Sequence, residues 1–157
     1  MNMINTLNIN EARKQIDSLE SKKEKEKEPI IVMSQDDVFN GKILENKKVD
    51  VFVINEQRYV KDYMKQRDSS LNESYCKLAV KNSIKIAIDI DSIAKKNDMD
   101  KAQSLSRVRQ NISLCKRTGC QLVFFSNKLK QELMGLMLVL GASTSQAKKA
   151  VEVKFFN

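Results

Sequence analysis

The sequence predicts an α/β protein built on a parallel sheet that stays open or closes only part of a barrel. Three observations predict it. Four short runs rich in β-branched and aromatic residues each lead into a longer stretch of helical spacing, the alternation that yields parallel strands joined by helical crossovers. They share one chain of 157 residues, enough for a single domain of about 100–200 residues. A complete eight-unit barrel takes about 250 residues, more than this chain supplies.

Taken in order, residues 1–28 read as a charged N-terminal helix or linker. Ile16 and Leu19 are its apolar positions, and the signs of SKKEKEKE at 21–28 alternate and cancel, as on a solvated helix end. Pro29 closes the segment, because the residue before a proline is pushed out of the helical region. Residues 29–157 then form the domain proper. Its first strand is 30–33, and Ser34 with Asp37 starts a helix through Val38, Ile43 and Leu44 to about Lys47. Residues 49–54 (VDVFVI) are the second strand. Ser70-Leu71-Asn72-Glu73 has the form of a capping box, opening a helix with Leu71, Tyr75 and Leu78 along one side. The third strand, 84–91, sets Ile84, Ile86, Ile88 and Ile90 on one face. A helix from about 100 to 118 carries the stripe Leu105, Val108, Ile112 and Cys115, and Gly119 sits where a helix end wants a left-handed residue. Residues 121–126 (QLVFFS) make the fourth strand and 129–140 an apolar helix ended by Gly141. Ser143 and Gln146 cap a short last helix.

The composition narrows the chemistry. There are 28 Lys and Arg against 20 Asp and Glu, a formal charge of +8, and no histidine. The missing imidazole excludes Ser-His-Asp and Cys-His nucleophile systems and the commonest general base near neutral pH. The charge is unevenly placed: it cancels over 1–28, reaches +2 over 29–97 and +6 over 98–157. A basic surplus of this kind suits a polyanionic partner. The N-terminus has neither a basic region nor an apolar core of signal-peptide type, and the longest apolar run is too short for a membrane span, so a cytoplasmic protein without a membrane partner is expected. Cys115 and Cys120 stand five apart with no second pair, and Cys76 lies far off; buried reduced thiols are expected, and no metal site.

Three groups carry candidate chemistry. Asp89 and Asp91, two apart at the end of the third strand, would point to the same face and could hold Mg²⁺ in a small phosphohydrolase, although no other strand end offers a matching set. The stretch 58–67 (RYVKDYMKQR), if helical, aligns Arg58, Lys61 and Lys65 on one side and Tyr59 with Tyr63 on another, with Arg67 closing it. Such residues suit phosphates with unpaired bases nearby. On the long helix, Arg109 would lie at a packing edge while Arg107 faces solvent or a partner. Lys128 and Lys130 follow the fourth strand. The expected RNA-binding set is therefore Arg58, Lys61, Lys65, Arg67, Arg107, Arg109, Lys128 and Lys130, with no catalytic residue. A barrel serving only protein interaction is the noncatalytic alternative.

At these residues the chain resembles ribonuclease P protein component 3, the thirty-kilodalton subunit family of archaeal and eukaryotic ribonuclease P. The resemblance runs from about Ile30 to Val151. It is carried by Val49-Asp50, Arg67-Asp68-Ser69-Ser70-Leu71-Asn72 and Lys77-Leu78-Ala79-Val80-Lys81-Asn82. Further on it rests on Ile88-Asp89-Ile90-Asp91-Ser92-Ile93, the helix from Arg107 to Lys116, residues 123–127, Val139-Leu140-Gly141 and Gln146-Ala147-Lys148-Lys149-Ala150. The order and spacing of the pieces carry it, not any one of them. The resemblance implies a TIM-barrel-like fold, here incomplete or shortened. It also implies a subunit that assists a catalytic RNA in removing the 5′ leader of precursor tRNA and is not itself the catalyst. Implied partners are ribonuclease P RNA, precursor tRNA, protein component 2 and other protein subunits; no cofactor is bound by the protein, and Mg²⁺ serves the RNA. The chain departs from the pattern in three places. The family's opening strands have no counterpart before Pro29, Asp91 stands where some members carry an arginine, and 127–131 lacks the family's Arg and Pro.

Overall fold

The structure, a computed structural model, describes residues 3–26, 28–56, 62 and 67–152, with backbone alone for 24–26. Its sheet begins earlier than the sequence pattern suggests. β1 (Met3–Ile4) pairs in parallel with β2 (Ile31–Met33), which pairs with β3 (Val51–Ile54), then β4 (Lys85–Asp89) and β5 (Leu122–Phe125). The described chain thus opens on a strand of two residues, which carry no readable periodicity. α1 (Ile9–Glu26) links it to β2 and buries Ala12 and Ile16, so its apolar side joins the same core.

The spatial order of the strands is their chain order, and all four pairings are parallel. Between them lie α2 (Asp37–Leu44), α3 (Glu73–Lys81), α4 (Ile90–Ala94) and α5 (Asp98–Thr118), and α6 (Lys130–Val139) and α7 (Thr144–Glu152) follow β5. Every helix contributes to one cluster with Val32, Phe52, Ile54, Ile86, Ile88 and Phe124 from the strands. The opposite face holds strand residues alone, Ile31, Val51, Val53, Ala87 and Val123, packed with Met3 and Phe125. Helices on one face and small branched side chains on the other make the wall of a barrel. With β1 and β5 at its two edges, the wall is an open, incomplete barrel of five strands and seven helices among the described residues.

Local chemistry moves several boundaries. Asp36, not Ser34, caps α2 by accepting from the Phe39 amide at 2.8 Å. Ser34 is buried and accepts from the Asn55 amide at 2.8 Å, tying the end of β2 to the end of β3. Asn72 caps α3, while Ser70 takes a left-handed φ of 56° before it. The third predicted strand ends at Asp89, whose carboxylate accepts from the Ser92 amide at 3.1 Å and starts α4. Asp91 therefore belongs to a helix, and the two carboxylates do not share a strand face. Asn97 caps α5 at Asp98. Two features stand as predicted: Gly119 ends α5 with φ 76°, and Ser143 and Gln146 exchange hydrogen bonds of 3.2 and 3.3 Å before α7.

Candidate nucleic-acid interface

The end of the sheet where strands run into their following loops is where α/β proteins build sites. There the loop 126–129 between β5 and α6 is held by Asp91. One carboxylate oxygen accepts from Ser126 Oγ at 2.5 Å and the other from the Asn127 amide at 2.9 Å. Ser126 Oγ in turn accepts from the Lys128 amide at 3.1 Å. The Ser126 hydrogen bond first, then the Asn127 amide and the nearby Lys128 and Lys95 charges, hold the Asp91 carboxyl below its ordinary value, while burial opposes them. Asp91 is an ion at neutral pH and works as a loop anchor.

The anchored loop presents Lys128, and the start of α6 presents Lys130, to solvent, and neither forms an ion pair among the described residues. Leu129 is the N-cap of α6 and provides no side-chain hydrogen bond to the helix. The first amides of α6 therefore lack that partner, and they carry the partial positive charge of a helix start. Two exposed ammonium groups beside such amides suit a phosphate, with Glu132 in the first turn as the opposing charge.

The other predicted cations divide. Arg58, Lys61 and Lys65 lie outside the described residues. Arg109 is exposed on α5 without an ion pair among the described residues. Arg67 and Arg107 converge on one carboxylate. Arg107 donates to Asp62 Oδ1 through Nε at 3.2 Å and Nη2 at 3.1 Å, and Arg67 Nη1 lies 3.0 Å from Oδ2. Burial pushes the Asp62 carboxyl up, but hydrogen bonds and charge from Arg107, the Asp68 amide and Arg67 outweigh it and hold it below its ordinary value. Arg107 is only 8% exposed, which overturns its expected solvent-facing position. Its neighbours along α5, Ser104 and Asn111, are fully buried, so the helix has a second, polar buried stripe. Segment 67–69 lies against that stripe: Gln110 Nε2 donates to the Arg67 carbonyl at 2.9 Å, and Ser69 Oγ is 3.2 Å away.

Glu56, just beyond β3, escapes notice in the sequence. Its side chain is 2% exposed, and burial raises its carboxyl above the ordinary value against the pull of Lys96. The Lys96 ammonium donates to the Glu56 carbonyl and, at 2.7 Å, to Ser104 Oγ. Glu56 Oε1 and both amide atoms of Asn111 have no hydrogen-bond partner among the described residues. The cysteines are free and buried, as the sequence reading expects, and they also converge, which it does not foresee. Cys76 on α3, Cys115 on α5 and Cys120 after Gly119 bring their sulfurs within 4.8 Å of one another, and all three are buried. Hydrogen bonds from Cys115 and Cys120 hold the Cys76 thiol down, and those same contacts with burial push Cys115 up. A 39-residue gap hides this convergence from any local spacing rule.

No family model matches the chain, and no curated protein matches it. Among solved structures, a chain in the cryo-EM structure of archaeal ribonuclease P with mature tRNA shares the fold, with a TM-score of 0.75 at 19% identity. The likeness covers 96% of this chain and 63% of that one, so this chain spans under two thirds of its neighbour's length. No helix among the described residues is long and apolar enough to cross a membrane.

Proposed function

We propose that this chain is a noncatalytic protein subunit of a ribonuclease P-type particle, assisting its RNA in removing the 5′ leader of precursor tRNA. The observation that carries the reading is the fold likeness along almost the whole chain to a component of the archaeal ribonuclease P structure. The resemblance of its motifs to protein component 3 points to the same particle. Lys128, Lys130 and Arg109 are the cations this reading assigns to phosphate, with Arg67 held partly by Asp62. Protein component 2 is the partner protein it assigns, in the cytoplasm, and Mg²⁺ is assigned to the RNA. The phosphohydrolase alternative loses its carboxylate pair, since Asp89 caps a helix and Asp91 anchors a loop.

Reconstitution tests the proposal. Ribonuclease P RNA and component 2 are assayed for leader cleavage with and without this chain across a magnesium series. The chain should lower the magnesium needed for cleavage. Identical curves with and without it would overturn the reading.

A further inference from the structure

We propose that Cys76, Cys115 and Cys120 form a three-thiolate site for a soft divalent cation, with zinc as its ion. The proposal stands apart from the RNA reading. The donor set is what such an ion selects: thiolate sulfur binds zinc in preference to hard cations, and the chain has no histidine to compete. The geometry fits. Three sulfurs at about 2.3 Å from one zinc stand about 3.8 Å apart, and these three lie within 4.8 Å of one another. A contraction of about 1 Å or less, within the reach of side-chain rotation, closes the site.

The backbone explains why the sulfurs meet. Cys76 and Cys115 come from helices packed against each other, and the left-handed turn at Gly119 folds the chain back so that Cys120 returns to Cys115. Two residues of the trio, Cys115 and Cys120, also line a cleft of about 550 Å³ with Gln121, Ser143 and Lys149. That cleft, beside the buried sulfurs, is where an ion would enter and where a water would complete the coordination of a three-ligand zinc site. Three thiolates around a dication leave one negative charge, which Lys116 and Lys149 on the same cleft offset. Small apolar packing alone would bring thiols together, and the experiment separates the two.

The full chain, purified reduced and stripped of metal with a chelator, is titrated with Zn²⁺ against a chromophoric chelator and, separately, with Co²⁺. One equivalent of zinc should be held. Cobalt should produce the near-ultraviolet charge-transfer absorption of thiolate ligation together with intense visible bands of four-coordination. Cys76→Ser and Cys120→Ser should each weaken zinc binding by more than about 100-fold, beyond the 10–100-fold loss that follows removal of an outer-shell partner. No retained zinc, a cobalt spectrum without thiolate charge transfer, or unchanged binding in Cys76→Ser would each overturn the proposal. A serine at a fully buried position can unfold the chain, so the cobalt spectrum of the unsubstituted protein decides by itself. No RNA enters the experiment, and its outcome is independent of ribonuclease P activity.

Discussion

Asp91 is the residue whose role changes most between sequence and structure. Paired with Asp89 it has the form of a metal-binding carboxylate; in place, it orders the loop that displays the lysines. Replacing it with Asn removes the charge that Ser126 and the Asn127 amide share, and should cost about 1 kcal/mol, the low end for a hydrogen-bonded ion in a half-open setting. Urea unfolding at pH 7 measures the loss. Because the folded carboxyl titrates below its unfolded value, its stabilisation is complete above that unfolded value, near 3.9, and fades as pH falls through the folded one. The gap between Asp91→Asn and the parent should therefore narrow below about pH 4. Lys128 and Lys130 have the opposite character. Neutralising both should shift unfolding only slightly, since Lys128 is a minor support of the Asp91 carboxylate, and should lower the salt dependence of RNA binding by about one to two units of slope. A slope that does not move would show that they never meet phosphate.

At the scale of elements, α5 explains why a basic residue need not be a binding residue. Arg107 lies across the helix from the apolar stripe, which is the reason its sequence position reads as exposed. Asp62 and segment 67–69 lie on that side, and a charge pair fills it. Arg107→Gln should cost about 1.5–3 kcal/mol, because Asp62 Oδ1 loses its charge-assisted hydrogen bonds from Arg107 while Arg67 still faces Oδ2. The urea midpoint should fall with little change in slope. Gly119→Ala should cost about 1 kcal/mol by forcing a side chain into a left-handed φ of 76°, measured as a lower melting temperature. The elements that could be read ahead share one property. β2 to β5 are runs dominated by apolar residues, with buried side chains on both faces, and the Ser143–Gln146 cap is a local pair. What could not be read depended on something distant or too short. β1 has two residues, α4 has five and continues the isoleucine alternation of β4, and the buried polar stripe of α5 exists only once another segment lies over it. The loop anchor at Asp91 needs β4 and β5 side by side before its partners exist.

For the whole molecule, the described helices all pack on one face of a single open wall. The helix side is filled by the core, while the loops after the strands are free to vary, so the lysine-bearing loop can change without disturbing the sheet. The wall's strand order has a consequence for synthesis. Each strand lies beside the one made just before it, so a nascent chain never has to hold a gap open for a strand still to come. A βα unit leaving the ribosome meets a finished edge, and the distance along the chain between pairing partners stays short, the condition under which folding is fast. The order in which the residues are translated is the order in which the wall can be laid.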